Sequence, residues 1–199
     1  VIDLIGVRAS DDVEITSITN DAPEVFPLGE TIVTWTATDS SGNSASDYQQ
    51  ILVIDTTSPS ITVPSNIEVE IYDKNGIEID TGNAVSDDII DSQSTITNDA
   101  PEVFPLGETI VTWTATDSSG NSASATQTIT VVDTTSPVLI APESIIQEAI
   151  NDISNPVRIG ISEAIDIMEI TSITNDAPEV YPLGETIVTW TATDSSGNS

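Results

Sequence analysis

Residues Asn20–Ser46 read NDAPEVFPLGETIVTWTATDSSGNSAS, and the same letters return at Asn98–Ser124. They return again at Asn175–Ser199, with Tyr181 in place of Phe26 as the only change. The copies stand 78 and 77 residues apart. A fixed period with near-identical copies marks a tandem repeat array. A length of 199 would by itself suggest one or two domains. The period replaces that with about two and a half small units.

The repeated block carries its own local structure. Thr31–Asp39 (TIVTWTATD) alternates, with Val33, Trp35 and Ala37 on one face and Ile32, Thr34, Thr36 and Thr38 on the other, which predicts a strand. Asp39–Asn43 (DSSGN) predicts a hairpin turn with Gly42 free to take positive φ, and Ala45–Ile54 returns antiparallel. Upstream, Glu14–Thr19 alternates as a strand and Val1–Gly6 reads as a short apolar one. Pro27-Leu28-Gly29 makes a corner, against which Phe26, Phe104 and Tyr181 close one end of each core.

The middle period is complete. Ser60–Tyr72 predicts two short strands divided near Pro64, Asp73–Gly76 a turn, Ile77–Val85 a further strand, Ser86–Asp91 an acidic loop and Ser94–Thr97 a strand. In the third period, Pro156–Ile161 is the second-strand region and Glu163–Met168 the acidic loop. About seven short strands in one such period, with frequent turns, predict an all-β fold of tandem immunoglobulin-like antiparallel β-sandwich repeats, end to end. The expected boundaries are 1–57 for a repeat lacking its first strand, 58–135 for a complete one, and 136–199 for one lacking its last strand. Thr186–Asp194 is therefore expected as an open edge, filled by a continuing chain or by a neighbouring subunit through strand addition. The junctions Asp55–Pro59 and Asp133–Pro137, both D-T-T-S-P, hold Pro and β-branched residues without Gly and should be stiff.

Composition narrows function by exclusion. Acidic residues number 33 against three basic ones, Arg8, Lys74 and Arg158, for a net charge of -30. Phosphate binding needs clustered Lys and Arg, so nucleic acid is an unfavourable partner, and anionic membrane likewise. No apolar run approaches the length of a membrane span. With no Cys and no His, there is neither a disulfide, a thiolate nor the usual acid–base group near neutral pH. Ser and Thr are abundant without a group to activate them, and no insertion interrupts a repeat to form a pocket, so no enzyme activity is expected. There is no N-x-S/T acceptor for N-glycosylation.

The run Val103–Pro137, VFPLGETIVTWTATDSSGNSASATQTITVVDTTSP, resembles the hyalin-repeat (HYR) family. That family shows a similar F-P-x-G-x-x-x-V-x-[WY]-x-A-x-D-x-x-G-N-x-A core and a closing V-x-D-x-T-x-P. The resemblance covers all three units; the first halves of the units differ from one another. It implies an immunoglobulin-like fold, an extracellular or cell-surface location, and a structural or adhesive role in a stalk, filament or adhesin shaft. Partners would be further repeats or copies of the chain, with a surface or glycan ligand outside it. The other reading is a spacer or carbohydrate-binding accessory module of a secreted multidomain enzyme.

The acidic loops are the candidate chemistry. In a sandwich of this type the loop between the second and third strands and the last hairpin lie at the pole facing the preceding junction. That gathers Asp87, Asp88 and Asp117 beside Asp55, and Asp166 and Asp194 beside Asp133. Converging carboxylates suit Ca²⁺, which takes roughly 6–8 oxygen ligands. Against this, Asp39, Asp117 and Asp194 each open a D-S-S-G-N turn, where Asp commonly caps its own backbone, and Asp55 and Asp133 end strands. Trp35, Trp113 and Trp190 share the inward face, which makes them core residues rather than sugar-stacking platforms.

Overall fold

The computed structural model describes residues 6–152 and 155–199. The strand expected at Val1–Gly6 lies outside the described residues except for Gly6. Among those described there are thirteen strands and no helix. In order they are β1 (Ile15–Asn20), β2 (Gly29–Asp39), β3 (Ser44–Val53), β4 (Ser60–Thr62), β5 (Ile67–Glu70), β6 (Val85–Asp87) and β7 (Thr95–Asn98). They continue with β8 (Gly107–Thr116), β9 (Ser122–Val132), β10 (Val138–Ile140), β11 (Glu163–Ile165), β12 (Ile170–Asn175) and β13 (Trp190–Asp194).

Two compact units cut across the sequence period. One holds the first repeat up to Ile61 together with Ser86–Ile96 and Ala115–Ala123 of the middle repeat; the other holds Thr62–Val85, Thr97–Thr114 and Ser124–Ser199. In the first, β1, β2 and β3 form an antiparallel sheet, with β2 and β3 in continuous register from Gly29↔Val53 to Thr38↔Ser44. The D-S-S-G-N turn fixes that register. Asp39 Oδ1 accepts from the amides of Ser41 and Asn43 (both 2.8 Å), and Asn43 Nδ2 donates to Asp39 Oδ2 (2.8 Å). Asp39 is held below the usual carboxylate range, chiefly by the Asn43 side chain. The N-D pair that opens each block ties back to the chain ahead, since Asp21, Asp99 and Asp176 accept from the amides of Thr34 in β2, Thr112 in β8 and Thr189 just before β13.

The middle repeat forms the four-stranded sheet β5-β9-β8-β7 and a separate pair β4-β6, the two-sheet composition of a sandwich. β5 runs parallel to β9, from Ile67↔Ile129 to Glu70↔Val132. Val111, Ile129 and Val131 are fully buried, each contributing about 1.5–3 kcal/mol. Ile71, Ile77, Phe104 and Trp113 complete this core. Phe104 closes it as expected, pairing backbones with Ile77. Trp113 is 4% exposed, whereas Trp35 and Trp190 are half-buried. The difference follows the cover: β5 and β9 lie over the middle core, and no described strand pairs with β3 or β13 on its other edge.

Three strand expectations change. Ile77–Val85 is not a strand: beyond the Ile77–Phe104 bridge, Asp80 Oδ1 takes the Gly82 amide (2.9 Å), Gly82 sits at φ 81°, and the Thr81 carbonyl accepts from Gln127. The backbone is engaged by side chains, and pairing resumes only at β6. In the third repeat Pro156–Ile161 carries no strand. The segment read as a loop instead opens with β11, paired to β10 from Val138↔Ile165 to Ile140↔Glu163. Of Thr186–Asp194, only Trp190–Asp194 is paired, on the edge toward β12.

Candidate metal centre

Asp55, Asp88 and Asp117 converge, and so do Asp133, Asp166 and Asp194; in each triad one carboxylate oxygen per residue lies within 4.8 Å of the others. Each triad falls inside one compact unit. Local turns set every member. Asp55 follows β3 and accepts the Thr57 amide through Oδ1 (2.9 Å). Asp88 follows β6 and accepts from Ile90 (2.8 Å) and Asp91 (3.0 Å), again through Oδ1. Asp117 follows β8, its Oδ1 capping Ser119 (3.0 Å) and Asn121 (2.8 Å) while Asn121 Nδ2 donates to Oδ2 (2.9 Å).

The second triad repeats this geometry. Asp133 Oδ1 accepts from Thr135 (3.2 Å), Asp166 Oδ1 from Met168 (2.9 Å), and Asp194 Oδ1 from Ser196 and Asn198 (both 2.9 Å). The turn asparagines also reach the preceding junction. Asn121 Nδ2 donates to the Asp55 carbonyl at 3.3 Å and Asn198 Nδ2 to the Asp133 carbonyl at 3.1 Å. For Asp194, burial pushes the carboxyl up most strongly, yet the bonds from Asn198 and the turn amides outweigh it and hold the group below its usual range.

The second oxygens differ in their partners: Asp117 Oδ2 and Asp194 Oδ2 accept from Asn121 and Asn198 (both 2.9 Å). Each capping Asp uses Oδ1, while Asp55 Oδ2, Asp88 Oδ2 and Asp133 Oδ2 are buried without a hydrogen-bond partner. Buried unpaired carboxylate oxygens are costly, a cost that a cation placed between them would offset. The donor set is all oxygen, which suits a hard cation. Three carboxylates fall short of a full Ca²⁺ shell, so carbonyls and water would supply the rest.

Asp87 does not join its neighbours. It is exposed on β6, and its carbonyl accepts from Ser60 Oγ (2.9 Å). Strand alternation sends consecutive side chains to opposite faces, so Asp87 and Asp88 cannot share the site while β6 persists to Asp87. Two further kinds of residue shape the junctions without having stood out in the sequence. Asn121 and Asn198 had a signal, the invariant end of D-S-S-G-N. Glu70 had none: its Oε1 accepts from the Thr134 amide (2.7 Å) and Thr135 Oγ1 (3.0 Å), and its Oε2 from Thr134 Oγ1 (2.9 Å), pinning the second D-T-T-S-P to the end of β5. The Thr134 amide is the main influence holding Glu70 below the usual range.

Fold and site together define a tandem array of immunoglobulin-like β-sandwich repeats with acidic clusters at the junctions. The HYR domain family matches residues 54–131. Hyalin of Strongylocentrotus purpuratus is 40% identical over 202 residues, covering 92% of this chain and 16% of that protein. Hyalin of Lytechinus variegatus is 35% identical over 199 residues, covering 92% of this chain and 37% of that protein. A mouse sushi, von Willebrand factor type A, EGF and pentraxin domain-containing protein is 30% identical over 173 residues, 80% of this chain and 5% of that protein. The chain belongs to the hyalin-repeat family, and it is of extracellular, surface type. It spans well under half the length of either hyalin. Among solved structures, the extracellular cadherin domains 1–4 of protocadherin Gamma B7 align over 92% of this chain and 59% of theirs, at 11% identity and a TM-score of 0.35.

Proposed function

We propose that this chain is a length of an extracellular structural shaft whose junctions bind Ca²⁺, Asp55, Asp88 and Asp117 holding one ion and Asp133, Asp166 and Asp194 a second. The observation that carries the reading is the recurrence of one geometry at both junctions: the same three chain positions, the same capped Oδ1, and buried carboxylate oxygens without a donor. Each ion would tie a D-T-T-S-P linker to the loops of the repeat that follows it. The net charge of -30 supports the same conclusion, since self-repulsion opposes compaction until cations reduce it. The stiff linkers and the Glu70 clamp favour repeats joined end to end, with boundaries near 57 and 135, as a stalk or filament contacting further repeats of its own kind. No residue of the site is assigned a reaction.

The test is thermal unfolding of the chain in excess chelator and in millimolar Ca²⁺. Binding to the folded state alone stabilises by about 2.7 kcal/mol at a hundred times Kd, so the melting temperature should rise by several degrees. An unchanged transition would remove the cation from the reading.

A further inference from the structure

The acidic loop of the middle repeat holds a further carboxylate, Asp91, that is not one of the converging three. Its two oxygens have separate partners: Oδ1 accepts from the Gln93 amide (3.0 Å) and Oδ2 from the Ser118 amide (2.8 Å). Ser118 stands next to Asp117, and the Asp91 amide itself donates to Asp88 Oδ1 (3.0 Å). Two hydrogen bonds through Asp91 thus run from one member of the triad to the chain neighbour of another. All of these residues lie in one compact unit.

The other repeats explain why a side chain makes this link. Each acidic loop reads D-x-x-D/E, at Asp11–Glu14, Asp88–Asp91 and Asp166–Glu169. Glu14 stands directly before β1, and its main-chain carbonyl accepts from the amide of Ser40 (2.9 Å), the counterpart of Ser118. The middle loop is one residue longer: Asp91 precedes Asn98 by seven positions, whereas Glu14 precedes Asn20 by six. β7 starts only at Thr95, so the ladder stops short of the hairpin and the Asp91 carboxylate takes the amide instead. Glu169 has the spacing of Glu14, which leaves the side-chain link to the middle repeat.

We infer that Asp91 is a positioning residue for the Asp55–Asp88–Asp117 site: it fixes Asp88 relative to Asp117, so that the site is assembled before a cation arrives. The inference rests on the cation reading and deepens it, since the two sites then differ in what builds them. A group that orients metal ligands without touching the metal commonly controls affinity by about 10–100-fold. An ion that binds an unassembled loop must also order it.

The test is calorimetric titration of Ca²⁺ into the full chain carrying Asp166→Asn, which leaves only the Asp55–Asp88–Asp117 site, with Asp91→Ala or Asp91→Asn added. Amide exchange of the cation-free chains is measured beside it. Asp91→Ala should weaken binding about tenfold or more. It should also speed exchange at Ser118 while the Val111 and Ile129 amides keep their protection. Asp91→Asn keeps an acceptor for Ser118 without the charge, and should recover most of the affinity. In a chain carrying Asp88→Asn, where only the Asp133–Asp166–Asp194 site remains, Asp91→Ala should change nothing. Unchanged affinity or unchanged Ser118 exchange in Asp91→Ala, equal weakening by alanine and asparagine, or equal weakening of the second site would overturn the inference and leave the cation reading standing. Absence of saturable binding in the parent chain would remove both.

Discussion

Gln127→Leu is the sharpest test of how the core of the middle repeat is specified. The substitution keeps approximate volume and removes three hydrogen bonds: one from Trp113 Nε1 and two to the carbonyls of Ser65 and Thr81. The carbonyl partners lie near solvent and can recruit water. The Trp113 indole is 4% exposed and cannot. One buried orphan donor costs about 1–3 kcal/mol; with the lost carbonyl bonds the total is about 2–4 kcal/mol. Set against a domain stability of roughly 5–15 kcal/mol, that is a large fraction. For a domain this size, roughly 4–8 °C of melting temperature go with each kcal/mol. The equivalent change in the first repeat, Gln49→Leu, orphans Trp35, which is half-buried and accessible to water, and should cost under about 1 kcal/mol. Native-state hydrogen exchange at the Val111 and Ile129 amides reads the middle repeat separately from its neighbours. Equal losses in the two variants, or a Gln127→Leu chain within about 0.5 kcal/mol of the parent, would refute the argument that burial of the Trp–Gln pair sets its worth.

Other outcomes follow from the same geometry. Gly76→Ala, at φ 104° with a Cβ that would meet Phe104 O and Val103 Cγ1 at 2.6 Å, should destabilise the middle repeat by more than about 2 kcal/mol in urea denaturation. Gly107→Ala, at the same φ with open space around it, should cost only about 1–2 kcal/mol. Ile129→Ala removes a fully buried side chain and should cost about 2–5 kcal/mol by the same assay. Glu70→Ala should speed exchange of the Thr134 amide and leave the core amides untouched. Glu70 and Asp39 are depressed in the folded state, so the stability they contribute is present above their unfolded pKa values, about 4. It is lost as pH falls from there through the folded values, and a pH series of melting temperatures should show that acid-side decline.

The repeated block was legible because its strands alternate strictly and its turn is written in D-S-S-G-N; β2, β8 and their hairpins lie where periodicity puts them. The stretch Ile77–Val85 was not, because its apolar letters mimic a strand while Asp80, Gly82 and Gln127 capture the backbone that a ladder would need. Pole geometry named seven aspartates, and the two triads hold six of them. It could not separate Asp87 from Asp88, since that depends on where β6 ends by a single residue. Alternation puts Gln127 of SASATQTITVV on the face of Ile129 and Val131, but that a glutamine is buried there, and that it pairs with Trp113, only the structure shows. Glu70 was hidden because its partners, Thr134 and Thr135, lie more than sixty residues away along the chain.

Calorimetric titration of Ca²⁺ into the cation-stripped chain, with three variants beside the parent, counts the ions that the junctions hold. Two sites per chain are predicted for the parent and for Asp87→Asn, which alters an exposed carboxylate outside both triads. One site should remain after Asp88→Asn, and the other one after Asp166→Asn. No saturable binding into the millimolar range, or two intact sites in the Asp88→Asn and Asp166→Asn chains, would contradict the account.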